Sequence, residues 1–504
     1  MPLDPCKKTL NLLARDRLCA PSTGSSRDYD YAVIGGGTAG LVVAVRIMEN
    51  PSVKVGVIEA GQNRMDDKQI STPSSYPTLI GRPKYDWCMQ STPQPSAGKT
   101  YSMPRGKALG GSSAINYLMY VRGSRKDYNS WAELGNKGWG WDDLVPYFRK
   151  HQMLNIPDEK ALLEDKQFMP HAAREKYHGG DGPIHTSFND HYMPLEEDFC
   201  KAAYERGPYG ILLVSCSSRS LIRSWKSILR CDWVSSTKSA SEEPACFDGG
   251  LRHEDLFDEQ GAAGVEFSHS RKLHVVKANK EVVLSAGVIQ TPQLLELSDI
   301  GDPDVLQKAG VKCVIENKSV GANFQDHVLG GMLFTLLICL EHPLSRGSVH
   351  IASSDPMKPP IIDPGYLRHE TDAKILATGL KWLDEVSKHF LVAKSLGDRV
   401  LPPPENTLET EEQRVEYVKN HISTQYHLMG VAAMGEVAND RLQVIDGKGQ
   451  VIKGLRVVDA SVFPGHVSGN IMSSTYTVAE KGADLIKQED GQFGSEPGGG
   501  TARL

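Results

Sequence analysis

Three well-separated stretches of this 504-residue chain carry an apolar run followed by helix-spaced apolar positions, and each reads as a strand leading into a helix. From Asp28 to Ala60, Tyr29–Ile34 is a short apolar run, Thr38–Met48 has helical spacing and Val53–Ile58 is again strand-like, with Asn50-Pro51 ending the helix. From Glu281 to Leu297, EVVLSAG reads as a buried strand, with Thr291-Pro292 as cap and first helical residue. From Leu455 to Ile486, LRVVDASVF is strand-like and the loop PGHVSGN follows; Ser473 or Ser474 then stands where it could cap an amphipathic helix. Such recurrence specifies α/β architecture: one domain assembled from discontinuous segments, with the stretches between them forming a second domain over its ligand-binding edge.

The most apolar run, Val328 to Leu340, is shorter than the ~20 residues that cross a bilayer, and it reads as a buried strand or core segment. No membrane span is therefore expected. Residues 1–27 have no periodicity and 490–504 are Gly-rich, so both ends are expected to be disordered. The charged N-terminus lacks the apolar core of a secretory signal, which points to a cytoplasmic protein. A formal charge of -6, with neither sign in a long block, argues against nucleic acid as a partner. Nine cysteines, never spaced C-x-x-C, indicate neither a zinc site nor a disulfide framework, so no metal is expected.

Candidate chemistry begins at Gly35-Gly36-Gly37-Thr38-Ala39-Gly40. Gly35 permits the tight turn, Gly37 lets backbone approach a pyrophosphate, and Gly40 lets the helix pack on the strand; the N–H groups of Thr38 and Ala39 then face the phosphates. Glu59, at the end of the second strand, is placed to accept hydrogen bonds from ribose hydroxyls. This fingerprint announces a dinucleotide and leaves FAD and NAD both open.

Distant motifs separate the two. Gly106-Lys107-Ala108-Leu109-Gly110-Gly111-Ser112-Ser113-Ala114-Ile115-Asn116, continued by Tyr120, Gly123 and Asp127, closely resembles the first signature of glucose-methanol-choline (GMC) oxidoreductases. Ser285 to Gly301 is similar to the family's SAGxxxTPQLLxLSGIG, with Asp299 where glycine is usual. Val320 to His327 resembles VGxNLQDH, and Pro343 to Ile351 with Ile362-Asp363-Pro364 resembles PLSRGSVHI and IDP. Thr424 to Gly430 is similar to the catalytic-histidine motif, with Leu428 and Val431 in place of its proline and threonine. Leu455 to Phe463 with Ser468-Gly469-Asn470 matches the closing flavin-contacting segment.

The resemblance implies a Rossmann-like FAD-binding domain (28–150, 260–327 and 455–487) and a second, α+β substrate domain built on an antiparallel sheet (151–259 and 328–454). It implies an FAD-dependent alcohol oxidase or dehydrogenase of the aryl-alcohol or choline dehydrogenase kind, with secondary metabolism a natural setting. Its cofactor contacts are expected at Gly35, Gly37, Thr38, Ala39, Gly40, Glu59, Gly110, Ser112, Asn116, Asp459 and Ala460. Some relatives attach FAD through a histidine where this chain has Ile115, so non-covalent FAD is expected.

An alcohol loses its hydroxyl proton to a base and its carbon-bound hydrogen as hydride to an electron sink that no side chain provides. His427 is the expected base and Asn470 the group that orients the substrate oxygen, while His466 is expected in the loop towards the cofactor. The partners implied are a small-molecule alcohol and an acceptor, oxygen or quinone-like. Two departures keep other readings open: residues 211–250 resemble nothing in the family, and a long insertion usual after Leu340 is missing. The alternatives are a catalytically impaired remnant and a flavin-containing lyase of the same fold.

Overall fold

A computed structural model describes residues 27–155, 177–187, 194–205, 257–258, 261–269, 272–333, 336–397, 402–403 and 405–491. The atypical patch at 211–250 and both expected disordered ends lie largely or wholly outside them. The elements that build the site are, in chain order, β1 (Arg27–Ile34), α1 (Thr38–Ile47), β2 (Val55–Ile58), β3 (Gly264–His269), β4 (Lys272–Leu284), α2 (Gly287–Leu297), β5 (Val328–Leu333), β6 (Leu336–Leu340), α3 (Glu370–Ser387), α4 (Glu411–His421), β7 (Ile422–Thr424), β8 (Gln443–Ile445), β9 (Val451–Val457) and α5 (Met472–Glu489).

The main sheet runs β8-β9-β4-β1-β2, with β3 pairing off β4. Its central pairs are parallel: Val33 lies opposite Val57 on one side and Val283 on the other, and Val283 in turn lies opposite Arg456. Both faces of a parallel sheet are covered, which explains why these strands read as continuous apolar runs. Tyr31 to Ile34, Val282 to Leu284 and Val457 are almost completely buried. Helices α1 and α5 pack together and are clasped by Arg46, whose Nε and Nη2 donate to the two oxygens of Glu480 at 2.7 and 2.8 Å. Arg456, fully buried on β9, donates to both oxygens of Glu281 on β4 and to Glu489 on α5, tying sheet to helix.

A second, antiparallel sheet has the order β6-β5-β7, and α3 and α4 pack on it. The apolar run Val328 to Leu340 is thus a pair of strands. Two further boundaries differ from expectation. Helix α2 starts at Gly287, not at Thr291-Pro292, because a distant carboxylate caps it: Asp459 accepts from the Gly287 N–H and from the Thr291 hydroxyl, both at 2.8 Å. Helix α5 starts at Met472 after Ile471, and neither serine caps it. Ser473 donates to the Val121 carbonyl and Ser474 bonds the Tyr128 hydroxyl, so both serve packing against the 120–128 segment. Asp299, where the motif favours glycine, sits at φ 64°; aspartate tolerates this left-handed conformation better than most side chains. Among the described residues no helix is long and apolar enough to cross a membrane.

Candidate active site

At the carboxyl end of β1 the chain turns at Gly35, with φ 98°, and enters α1 through Gly37. No side chain caps α1, so its first N–H groups open toward the cleft. A Cβ on Gly40 would stand 1.9 Å from the Gly35 carbonyl oxygen, so glycine is what lets the helix lie on the turn. Glu59, at the end of β2, accepts from the Gly36 and Gly61 N–H groups, each at 2.7 Å. Burial nevertheless pushes its carboxyl up to about 7. The second glycine motif lies on the first: Gly110 donates to the Gly36 carbonyl at 2.8 Å, and a Cβ on Gly111 would approach Gly37 Cα to 2.9 Å.

A single cleft of about 540 Å³ runs from this cradle to the second sheet. Of the expected cofactor contacts, Gly35, Gly37, Thr38, Ala39, Glu59, Ser112, Asn116, Asp459 and Ala460 line it; Gly40 and Gly110 stand behind as supports. Asn116 is already engaged, its oxygen accepting from the Leu118 N–H and its amide nitrogen 3.1 Å from Met472 Sδ. Both Asp459 oxygens are likewise occupied, by Gly287, Thr291 and Ser461. These two residues shape the floor. Uncapped helix end, close-packed glycines and a carboxylate at the end of β2 together fit the adenosine diphosphate part of a dinucleotide. Ile115, also lining the cleft, offers no nucleophile for a covalent link.

The far end of the cleft holds His427 and Asn470. The Asn470 amide nitrogen is 2.9 Å from His427 Nε2, and His427 Nδ1 is 2.9 Å from His327 Nδ1. Backbone pairing creates this alignment: Gln325 and Met429 exchange both N–H···O bonds, and Gln425 donates to the His327 carbonyl, extending the β5–β7 ladder past the strand ends. Beneath it, Asp326 accepts from the His427 N–H at 2.9 Å, the Tyr366 hydroxyl at 2.5 Å and the Thr424 hydroxyl at 2.6 Å. Burial still raises its carboxyl to about 6. Asn470 is held by the turn at Gly469, whose φ is 81° and whose N–H donates to Glu341. Burial, then His327 and Arg105, keep the His427 imidazolium well below its ordinary range.

His466 departs from expectation. It is not among the cleft-lining residues; its ring stacks on His327 with centroids 5.6 Å apart. His327, Asp326 and Arg105 carry no expected role from sequence, although the first two stand in the segment that resembles VGxNLQDH.

A nucleotide cradle joined by one cleft to an imidazole–amide pair defines a dinucleotide-dependent oxidoreductase. The GMC oxidoreductase description matches in its N-terminal part over 29–210 and 255–329 and in its C-terminal part over 343–479, and the chain belongs to this family. It is 30% identical to the dehydrogenase mpl7 of Monascus purpureus, over 92% of this chain and 96% of that one. It is 27% identical to the mitochondrial choline dehydrogenase of Mus musculus, over 96% and 92%. A formate oxidase variant of Aspergillus oryzae superposes with a TM-score of 0.78 at 24% identity, covering 93% of this chain and all of that one. The alignment with mpl7 spans 614 positions, so that relative carries well over a hundred residues with no counterpart here.

Proposed function

We propose that the chain oxidises the CH–OH group of a small alcohol using non-covalently held FAD, with His427 as base and Asn470 as the group orienting the substrate oxygen. The observation that carries this reading is the His427–Asn470 pair at the end of the same cleft as the glycine cradle. An amide nitrogen donates, so His427 Nε2 is the bare, accepting nitrogen of a neutral imidazole, ready to take a hydroxyl proton. Asn470 keeps the alcohol oxygen beside that nitrogen and offers an N–H to the charge that develops on it. When bound, FAD supplies the electron sink for the hydride. Gly35, Gly37, Thr38, Ala39 and Glu59 hold its nucleotide half, with Ser112, Asn116, Asp459 and Ala460 along the remainder. The electron acceptor that closes the cycle is oxygen or a quinone-like molecule.

Trp87, Tyr117, Leu329, Leu337 and Tyr426 line the cleft and favour an apolar or aromatic alcohol, in keeping with a place in secondary metabolism. The test is anaerobic mixing of flavin-loaded protein with a panel of aromatic and aliphatic alcohols. Bleaching of the oxidised flavin is expected with at least one; a loaded protein that bleaches with none refutes the reading and leaves the impaired remnant in its place. Product formed without any bleaching would instead reveal a lyase.

A further inference from the structure

His427 is the inner end of a file of four imidazoles. His327 meets it edge to face with Nδ1 atoms 2.9 Å apart, His466 stacks on His327 at 5.6 Å, and His342 meets His466 at 5.9 Å. The first three rings are buried, whereas the His342 side chain is 51% exposed. Neither ring nitrogen of His466 has a hydrogen-bonding partner, nor has Nε2 of His327. The rings do not converge on a point as metal ligands would, and among the described residues no group of three His, Cys, Asp or Glu side chains does. We propose that His327, His466 and His342 form a proton exit path that carries the substrate proton from His427 to solvent.

The inference rests on His427 being the base. With Nε2 accepting from Asn470, the His427 ring proton sits on Nδ1 and points at His327 Nδ1. When the O–H bond of the alcohol breaks, its proton arrives at His427 Nε2 and the Nδ1 proton leaves for His327. Bound FAD would take up the carbon-bound hydrogen with both electrons, so one proton, and no further oxidant, would be left to dispose of. A neutral imidazole carries one N–H and one bare nitrogen and can accept on one side while releasing on the other. The ring centroids stand 5.6 and 5.9 Å apart, and three buried nitrogens without protein partners are where bridging waters would bond.

Burial disfavours the charged form of His427, His327 and His466, and the nearby Arg105 and Arg346 add to this at His427 and His466. The carbonyls of Val467 and Pro343 work the other way at His327 and His466 but lie outside hydrogen-bonding geometry. At the outer end His342 Nε2 is 3.0 Å from the Ser468 hydroxyl and 3.4 Å from the Asp127 carboxylate, where the file meets solvent. A base so unwilling to stay protonated needs an outlet, and this file supplies one.

The test is stopped-flow reduction of the flavin-loaded protein by its alcohol, without oxygen, in weak buffer with a pH-indicator dye. The wild type should release one proton per flavin in step with bleaching. In His342→Gln and His466→Leu, dye protonation should lag bleaching by about tenfold or more, and added imidazole should restore the step in His342→Gln. Proton release that stays in step in both variants overturns the path. If His466→Leu fails to hold flavin, the half-exposed His342→Gln decides alone. A His427→Ala protein that bleaches at the wild-type rate identifies the base assignment as the error. Apart from turnover, ¹⁵N spectra of the unloaded protein should show His427 protonated on Nδ1 and bare on Nε2; the opposite tautomer removes the first link.

Discussion

Asp326 lies under the imidazole pair and gives the sharpest stability test. Its carboxyl is pushed from the ordinary 3.8 to about 6, burial being the dominant cause, with the Thr424, Tyr366, Arg105 and His427 interactions pulling the other way. Between those two values the folded chain keeps the proton and the unfolded chain has lost it, so folding stability falls as pH rises through that window. A shift of this size corresponds to about 3 kcal/mol, present below pH 4 and gone above pH 6. In Asp326→Asn the carbonyl oxygen can still face the His427 N–H, and the amide can face the Tyr366 and Thr424 hydroxyls, which turn to accept. The variant carries no titrating proton. Melting midpoints of both proteins at pH 4, 5, 6 and 7, at one ionic strength, give the difference with all other groups cancelled. The wild type should lose about 3–6 °C relative to Asp326→Asn between pH 4 and pH 7. A constant difference refutes the burial argument; a wild type that gains relative to the variant means that the Arg105 charge outweighs desolvation.

Three other outcomes are expected. His427→Ala should retain flavin yet slow anaerobic bleaching by about 10²–10⁴-fold, read by rapid mixing; wild-type bleaching excludes it as base. Gly40→Ala drives a methyl onto the Gly35 carbonyl, so the purified protein should lose most flavin absorbance per chain. Arg456→Met strands the Glu281 and Glu489 carboxylates beside a buried apolar side chain; a loss of about 3–5 kcal/mol should appear as a thermal midpoint several degrees lower.

The glycine loop was legible because its geometry is local: turn, helix start and strand-end carboxylate all lie within one strand–helix–strand unit, and each residue type follows from a backbone need. The motif at Gly106 to Asn116 was legible by resemblance, and the structure adds its physical reason, backbone lying against backbone at Gly37 and Gly111. What escaped depends on partners far away in the chain. The start of α2 is fixed by Asp459, 172 residues from Gly287, so no local cap signal could mark it. His327 and His427 are 100 residues apart and face each other only because backbone pairing continues beyond β5 and β7. Ser473 and Ser474 looked like caps because serine caps helices often, but their hydroxyls found buried partners across the cleft wall.

The Asp459 clamp also governs when the protein can become functional during synthesis. Strand β1 lies between β2, soon after it, and β4, which emerges some 240 residues later, while the carboxylate that fastens α2 follows later still. At about 5–20 residues per second, the glycine cradle waits ten seconds or more on the ribosome for its sheet neighbour. Until α5 arrives, the helix carrying the cradle has its inner face uncovered and no cofactor floor exists. Cofactor loading is therefore expected only once residues through 489 have emerged, joining segments far apart in the chain, and nascent chains stalled before residue 455 should recruit chaperones instead of flavin.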